Sequence, residues 1–177
     1  MFKKILVAVN DSEYADKAAD LAVDMAKVHG AELVAVHVTT FKPLTKEEMR
    51  LGEAEYADEV IRDLDVDSTL QYRGRIGGAA ERIFRRHGGA GLRIHLAMGQ
   101  QLMDALHSRA MAKGVSKMEP VITDGDPAES ILRVAKEHGA DLIVIGSRGM
   151  SEIKGLLSGS VSQKVMRLAE CPCLVVH

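Results

Sequence analysis

One pattern occurs twice in this chain, and it limits the folds open to it. AKVHGAELVAVHV (26–38) and AKEHGADLIVIGS (135–147) share a helix end, a His-Gly-Ala turn and the start of a short apolar strand. A helix that stops at a glycine and turns at once into such a strand is half of a strand-helix-strand unit. Two of these units imply a parallel sheet. The rest of the chain fits. Residues 5–9, ILVAV, form an apolar, partly β-branched run of the kind a strand covered on both faces needs. Asp11 and Ser12 are N-cap residue types, and Ala15, Ala18, Ala22, Met25 and Ala26 then recur at helical spacing up to Gly30. Further helices are expected from about Thr45 to Leu64, from Ile94 to Lys113, from Pro127 to His138 and from Ser160 to Glu170. Strands are expected at 117–122 and in the closing CPCLVVH, with Pro127 and Pro172 at helix boundaries where proline is tolerated. The fold class is α/β: an open five-stranded parallel sheet with helices on both faces and right-handed crossovers.

Size and composition narrow the function. The 177 residues are enough for one sizeable core, so a single domain over 1–177 is expected. A formal charge of -2 argues against nucleic-acid binding by bulk electrostatics, and 3% aromatic residues with no tryptophan argue against base stacking. MFKKILVAVN is too short an apolar run for a leader or a membrane span, which points to a cytoplasmic protein. The two cysteines, Cys171 and Cys173, provide neither a disulfide framework nor a four-ligand zinc site. As members of a set with His177 they read more readily as packing residues. His29 and His138 occupy equivalent helix ends, where a cationic tip suits the dipole.

The segment from about 65 to 95 stands out by its arginine content. From Gln71 to His95 it holds Arg73, Arg75, Arg82, Arg85, Arg86 and Arg93 against the single acid Glu81. GRIGG (74–78) and HGGAG (87–91) read as flexible joints. The segment reads as a solvated excursion, or as a basic lid or docking surface for an anionic partner or the tail of a nucleotide.

Glycines concentrate where a parallel sheet would place a ligand. IVIGSRGMSEIKGLLSGS (143–160) runs from a strand end into a loop holding Gly146, Gly149, Gly155 and Gly159. In doubly wound sheets, ligands bind beyond the carboxyl ends of strands. Glycine permits close backbone approach and positive φ, while Ser160 with Gln163 has capping-box spacing and marks a helix N-terminus. Exposed amides and a helix dipole then favour phosphate, and Arg148 and Lys154 read either as cations that neutralise its charge or as solvated loop cations. The alternative is an ordinary turn followed by an ordinary capped helix. No Gly-Lys-Ser/Thr and no G-x-G-x-x-G is present.

Gly146-Ser-Arg-Gly149, nine residues, then Gly159-Ser160 resembles the G-2x-G-9x-G-S/T pattern of the ATP-binding branch of the universal stress protein family. KKILVAVNDSEYA, GDPAESILRVAKEHGADLIVIGSRG and GSVSQKVMRLAECPCLVVH are similar to family segments in family order; residues 42–115 match less well. The resemblance implies a Rossmann-like, adenine nucleotide alpha hydrolase-like fold. It also implies that Gly146, Gly149, Gly159, Ser160 and Val161 hold the triphosphate and ribose, that Val38 meets the adenine edge, that Ala8 and Val9 lie beneath the base, and that about 65–95 is an insertion relative to compact family members. ATP with Mg²⁺ or Mn²⁺, and a homodimer paired through Cys173 to His177, follow from the same resemblance. The family usually places an aspartate after the first strand. Here VAVNDS puts Asn10 at that position and Asp11 next.

Three functions are compatible with these features: an ATP-binding stress protein that reports nucleotide state to a protein partner, a dimeric interaction module that binds no nucleotide, and an adenylating enzyme of related fold. No metalloprotease motif, nucleophile elbow or catalytic base is legible, so an activity beyond slow ATP hydrolysis is not expected. The adenylating type carries a Ser-Gly-Gly-x-Asp-Ser loop, which NDSEYA lacks.

Overall fold

The computed structural model describes residues 1–39, 44–55, 78–147 and 161–177, with 78–93 described by backbone alone. The elements in chain order are β1 (Lys4–Ala8), α1 (Glu13–His29), β2 (Glu32–Thr39), α2 (Lys46–Glu55), α3 (Gly78–Lys113), β3 (Met118–Asp124), α4 (Pro127–His138), β4 (Leu142–Gly146), α5 (Val161–Leu168) and β5 (Cys173–Val176). The strands form one sheet in the order β3-β2-β1-β4-β5, and every pairing is parallel.

That order explains why both faces are covered. The chain moves outward from β1 to β2 to β3, then crosses back and moves the other way through β4 to β5. With crossovers of one hand, reversing direction puts the later helices on the opposite face. One face buries Ile5, Val7, Val9, Leu33, Ala35 and Val144 against α1 and α3; the other buries Leu6, Ala8, Val34, Val36, Ile143 and Ile145 against α4 and α5. β1 lies in the middle, so its alternating side chains enter both cores. Ile5, Leu6 and Val7 are all 0% exposed, and burial of such a side chain stabilises by about 1.5–3 kcal/mol relative to exposure.

Local chemistry sets the helix ends. Ser12 is the N-cap of α1, its hydroxyl accepting from the Ala15 N–H at 3.3 Å, and Gly30 ends the helix at φ 63°. α4 repeats this with Asp126 as N-cap, Pro127 at its start and Gly139 at φ 64°. The duplicated His-Gly-Ala segments are thus two equivalent helix-to-strand corners, at the amino ends of β2 and β4. α2 begins with a reciprocal cap: Thr45 N–H donates to Glu48 Oε2 at 2.7 Å, and Glu48 N–H donates to Thr45 Oγ1 at 3.2 Å.

One expectation is corrected. HGGAG, read as a flexible joint, lies inside α3, whose backbone runs unbroken from Gly78 to Lys113. The carboxyl half of α3 is anchored by Met103, Leu106 and Ala110, each at most 1% exposed. Extending an established helix adds a hydrogen bond per residue, against a cost of about 1 kcal/mol per glycine relative to alanine. The arginine-rich segment is therefore helical over 78–95; GRIGG lies outside the described residues except for Gly78. α2 is described from Lys46 to Glu55, and its expected continuation to Leu64 lies outside them. β3 runs to Asp124 rather than to 122.

Candidate functional site

The reversal of strand order falls between β1 and β4, and at their carboxyl ends the structure gathers Val9, Asn10, Gly146 and Ser147. The β1–β2 ladder continues one residue past Ala8, with Val9 N–H donating to Val36 O at 2.9 Å. Beyond that the chain bends into α1. Asn10 Oδ1 accepts from the Ser12 N–H at 3.1 Å and from the Ser12 hydroxyl at 2.7 Å. These bonds occupy the oxygen locally and fix the side chain. No partner among the described residues takes the Asn10 Nδ2 hydrogens, which stay available to an acceptor at the strand ends.

Ala8 and Val38 belong to the α4–α5 face of the sheet, where Val38 is half-buried. They form an apolar floor beside Asn10. Val161 opens α5 and is 37% exposed. The start of α5 is held over β4 by Ser162, whose hydroxyl donates to Ser147 O at 3.1 Å, while Ser147 N–H donates to Val176 O at 2.7 Å. The positive end of α5 thereby sits at the carboxyl edge. Arg148, Gly149, Gly159 and Ser160, together with Lys154, lie outside the described residues.

Gly146 has a structural reason for being glycine. A Cβ there would stand 2.7 Å from Tyr14 C, 2.8 Å from Tyr14 O and 2.9 Å from Ala15 N. The first turn of α1 thus crosses the end of β4 at a distance only glycine allows. This contact brings the α1 N-cap region next to the start of the glycine loop, so the residue helps shape the site through packing rather than through positive φ.

His37, near the carboxyl end of β2, completes the arrangement and was not singled out from the sequence. Its Nδ1 lies 3.0 Å from Val9 O, and because a carbonyl only accepts, Nδ1 carries the proton. Burial pushes the His37 pKa below its ordinary value of 6.5, against the opposing pulls of the Val9 carbonyl and the Asp11 charge. The ring has room because residue 99 is glycine: a Cβ there would lie 3.1 Å from His37 Cδ2. The signal in the sequence was a lone polar residue at an inward position of the run LVAVHV.

Two buried hydroxyls at this edge, Thr39 Oγ1 and Ser147 Oγ, have no hydrogen-bond partner among the described residues. An unmet buried hydroxyl costs about 1–3 kcal/mol, which a bound polar group would relieve. With the Nδ2 donors of Asn10, the α5 N-terminus and the apolar floor of Ala8 and Val38, the described residues fit an adenine nucleotide. A cluster of three or more metal-ligating side chains is absent among them. Lys164, one turn into α5, pairs instead with Asp126 at 3.1 Å and Glu129 at 3.0 Å at the start of α4.

An open cleft of about 580 Å³ lies at the opposite, amino edge, lined by Phe2, Lys4, His29, Glu32, His138 and Asp141. It is already occupied by mutual contacts. His29 meets Phe2 edge-on at 5.3 Å, His138 lies 3.4 Å from Glu119, and Asp141 accepts from the backbone N–H groups of Lys3 and Lys4. No described helix is long and apolar enough to cross a membrane.

Comparison with known proteins agrees with this architecture. The universal stress protein family matches residues 1–177. The chain is 32% identical over 180 residues to universal stress protein YxiE of Bacillus subtilis, covering all of both chains. Its fold is similar to universal stress protein UspA from Lactobacillus plantarum, with TM-score 0.69, 22% identity and coverage of 99% and 97% of the two chains. It is also similar to a universal stress protein solved in complex with cAMP, with TM-score 0.61, 24% identity and coverage of 99% and 97%. A match along the whole length, on the same parallel sheet and with the glycine pattern after the fourth strand, has one reading: the chain belongs to the universal stress protein family.

Proposed function

We propose that this protein binds an adenine nucleotide, ATP foremost, at the carboxyl edge of β1 and β4, and that nucleotide occupancy is the state it reports in a stress response. The observation that carries this reading is the convergence at one edge of the Asn10 amide, the Ser147 hydroxyl, which has no partner among the described residues, and the α5 N-terminus. The adenine would lie over Ala8 and Val38, beside Val9. The phosphates would meet the amides of the Gly146 to Val161 segment, the Ser160 hydroxyl and Arg148. Mg²⁺ or Mn²⁺ would be held mainly through phosphate oxygens. The cAMP complex of a family member supports an adenine nucleotide as the ligand class.

On this reading the protein is a cytoplasmic binding protein of one domain and not an enzyme, and ATP shifts its conformation or its affinity for a protein partner only as far as it binds one state better. A homodimer would form through β5 and its extension to His177. β5 is an edge strand whose outer side pairs with no described strand, and Leu174, Val175 and Val176 are half-buried in the single chain, which leaves backbone groups to pair and apolar area to cover.

The test is to denature the purified protein, identify any released nucleotide by chromatography, and titrate the emptied protein with ATP, AMP and cAMP by calorimetry. ATP recovery, or ATP binding that is lost in Gly159→Val, is the expected result. No released nucleotide and no measurable binding would make the dimeric interaction module the function of this chain. Sedimentation of the same sample reads the dimer independently.

A further inference from the structure

Pro172 is exposed, whereas Cys171 and Cys173 on either side of it are half-buried. Cys173 opens β5 and Cys171 lies in the bend just before it, and the two side chains share one side of the sheet through their packing. Both pack against the α4–α5 side of the sheet, in the cluster that includes Ile143, Ile145 and Val165. Cys173 Sγ lies 3.7 Å from the carbonyl oxygen of Cys171, which folds that sulfur back along the chain toward its neighbour.

We propose that Cys171 and Cys173 form a two-thiolate site for a soft monovalent cation, copper(I) or silver(I). Coordination number selects the metal. Zinc structural sites need four ligands and hard cations need six or more oxygens, and no set of three or more His, Cys, Asp or Glu side chains gathers here among the described residues. Two thiolates two residues apart, packed against the same cluster, suit a soft d¹⁰ ion that is content with two sulfur ligands. Binding replaces two S–H bonds by two S–metal bonds and releases two protons, so a monovalent ion leaves the site with a single negative charge. Burial pushes both thiols up; the Asp141 and Glu170 charges add to this at Cys171, and the Cys171 charge adds to it at Cys173. The ion must therefore displace protons, and its affinity rises with pH. The two acids are themselves engaged: Asp141 accepts from the Lys3 and Lys4 N–H groups, and Glu170 pairs with Lys136 at 3.0 Å. Pairing along the free edge of β5 would use backbone groups in the plane of the sheet, whereas these thiols leave it through a face. This site is independent of the nucleotide reading.

The experiment is an anaerobic titration of the full chain with copper(I) held by a competing chromogenic chelator, for the wild type, Cys171→Ser and Cys173→Ser. The expected result is one ion per chain, two protons released per ion, and a fall in affinity of roughly 100-fold or more in either single variant. X-ray absorption should show two sulfur neighbours. Failure to take copper(I) from the chelator would overturn the proposal, as would single variants that bind like the wild type. Thermal unfolding checks that the variants fold; if Cys173→Ser does not, Cys173→Val applies the same test with an apolar side chain suited to a strand.

Discussion

His37 donates its Nδ1–H to the carbonyl oxygen of Val9 across 3.0 Å, tying the end of β2 to the last residue before the Asn10 turn. Val9 N–H is bonded to Val36 O at 2.9 Å, so the final peptide of β1 is held by β2 through both backbone and side chain. The carboxyl edge on which the candidate site is built is thus tied through this ring, and it is burial of the ring, against the pull of the Val9 carbonyl, that favours its neutral form.

This has a pH consequence. Burial lowers the His37 pKa from 6.5 in the folded state, so between the two values the unfolded chain binds more protons. Stability linked to His37 is fully present above about 6.5 and is lost as pH falls through the lowered folded value. Urea unfolding of wild type and His37→Gln from about pH 5 to about pH 7.5 should show the wild type losing more stability on acidification. Parallel curves would remove His37 as the titrating group.

Two glycines that face near neighbours should respond unequally to a methyl group. Gly146→Ala drives a Cβ into the backbone of Tyr14 and Ala15, which cannot move without shifting α1, and should cost about 2 kcal/mol or more without any nucleotide present. Gly52→Ala meets only the side chain of Ile94, at 2.8 Å to its Cγ2, and gains about 1 kcal/mol of helix propensity, so its net change should lie within about 1 kcal/mol. Denaturant midpoints of the two variants decide this. A neutral Gly146→Ala would mean that the tight crossing of α1 over β4 is relieved at little cost.

Asn10→Asp restores the residue that the family places after the first strand. The carboxylate would keep the two bonds from Ser12, strengthened by its charge, and would sit favourably at the α1 N-terminus. ATP affinity should rise by about fivefold, equivalent to ~1 kcal/mol. Calorimetry showing unchanged or weaker binding would mean that the Asn10 amide hydrogens, lost in the variant, serve the nucleotide better than a charge.

What the sequence determined by itself is the part governed by short-range rules. Capping at Ser12, the helix-starting Pro127, left-handed glycines at 30 and 139, and apolar runs at 5–9 and 142–146 each act within a few residues, so the parallel α/β class and most element boundaries were legible. The glycine spacing from 146 to 159 pointed to the edge at which a ligand is proposed above. The rest was decided only by tertiary structure, because it depends on residues that meet across the chain. Gly146 is required by Tyr14, 132 positions away, His37 is set by Val9 and accommodated by Gly99, and α3 extends through glycines that taken alone signal a joint. Local propensity is worth about 1 kcal/mol per residue, and an anchored helix or a close helix-strand crossing outweighs it.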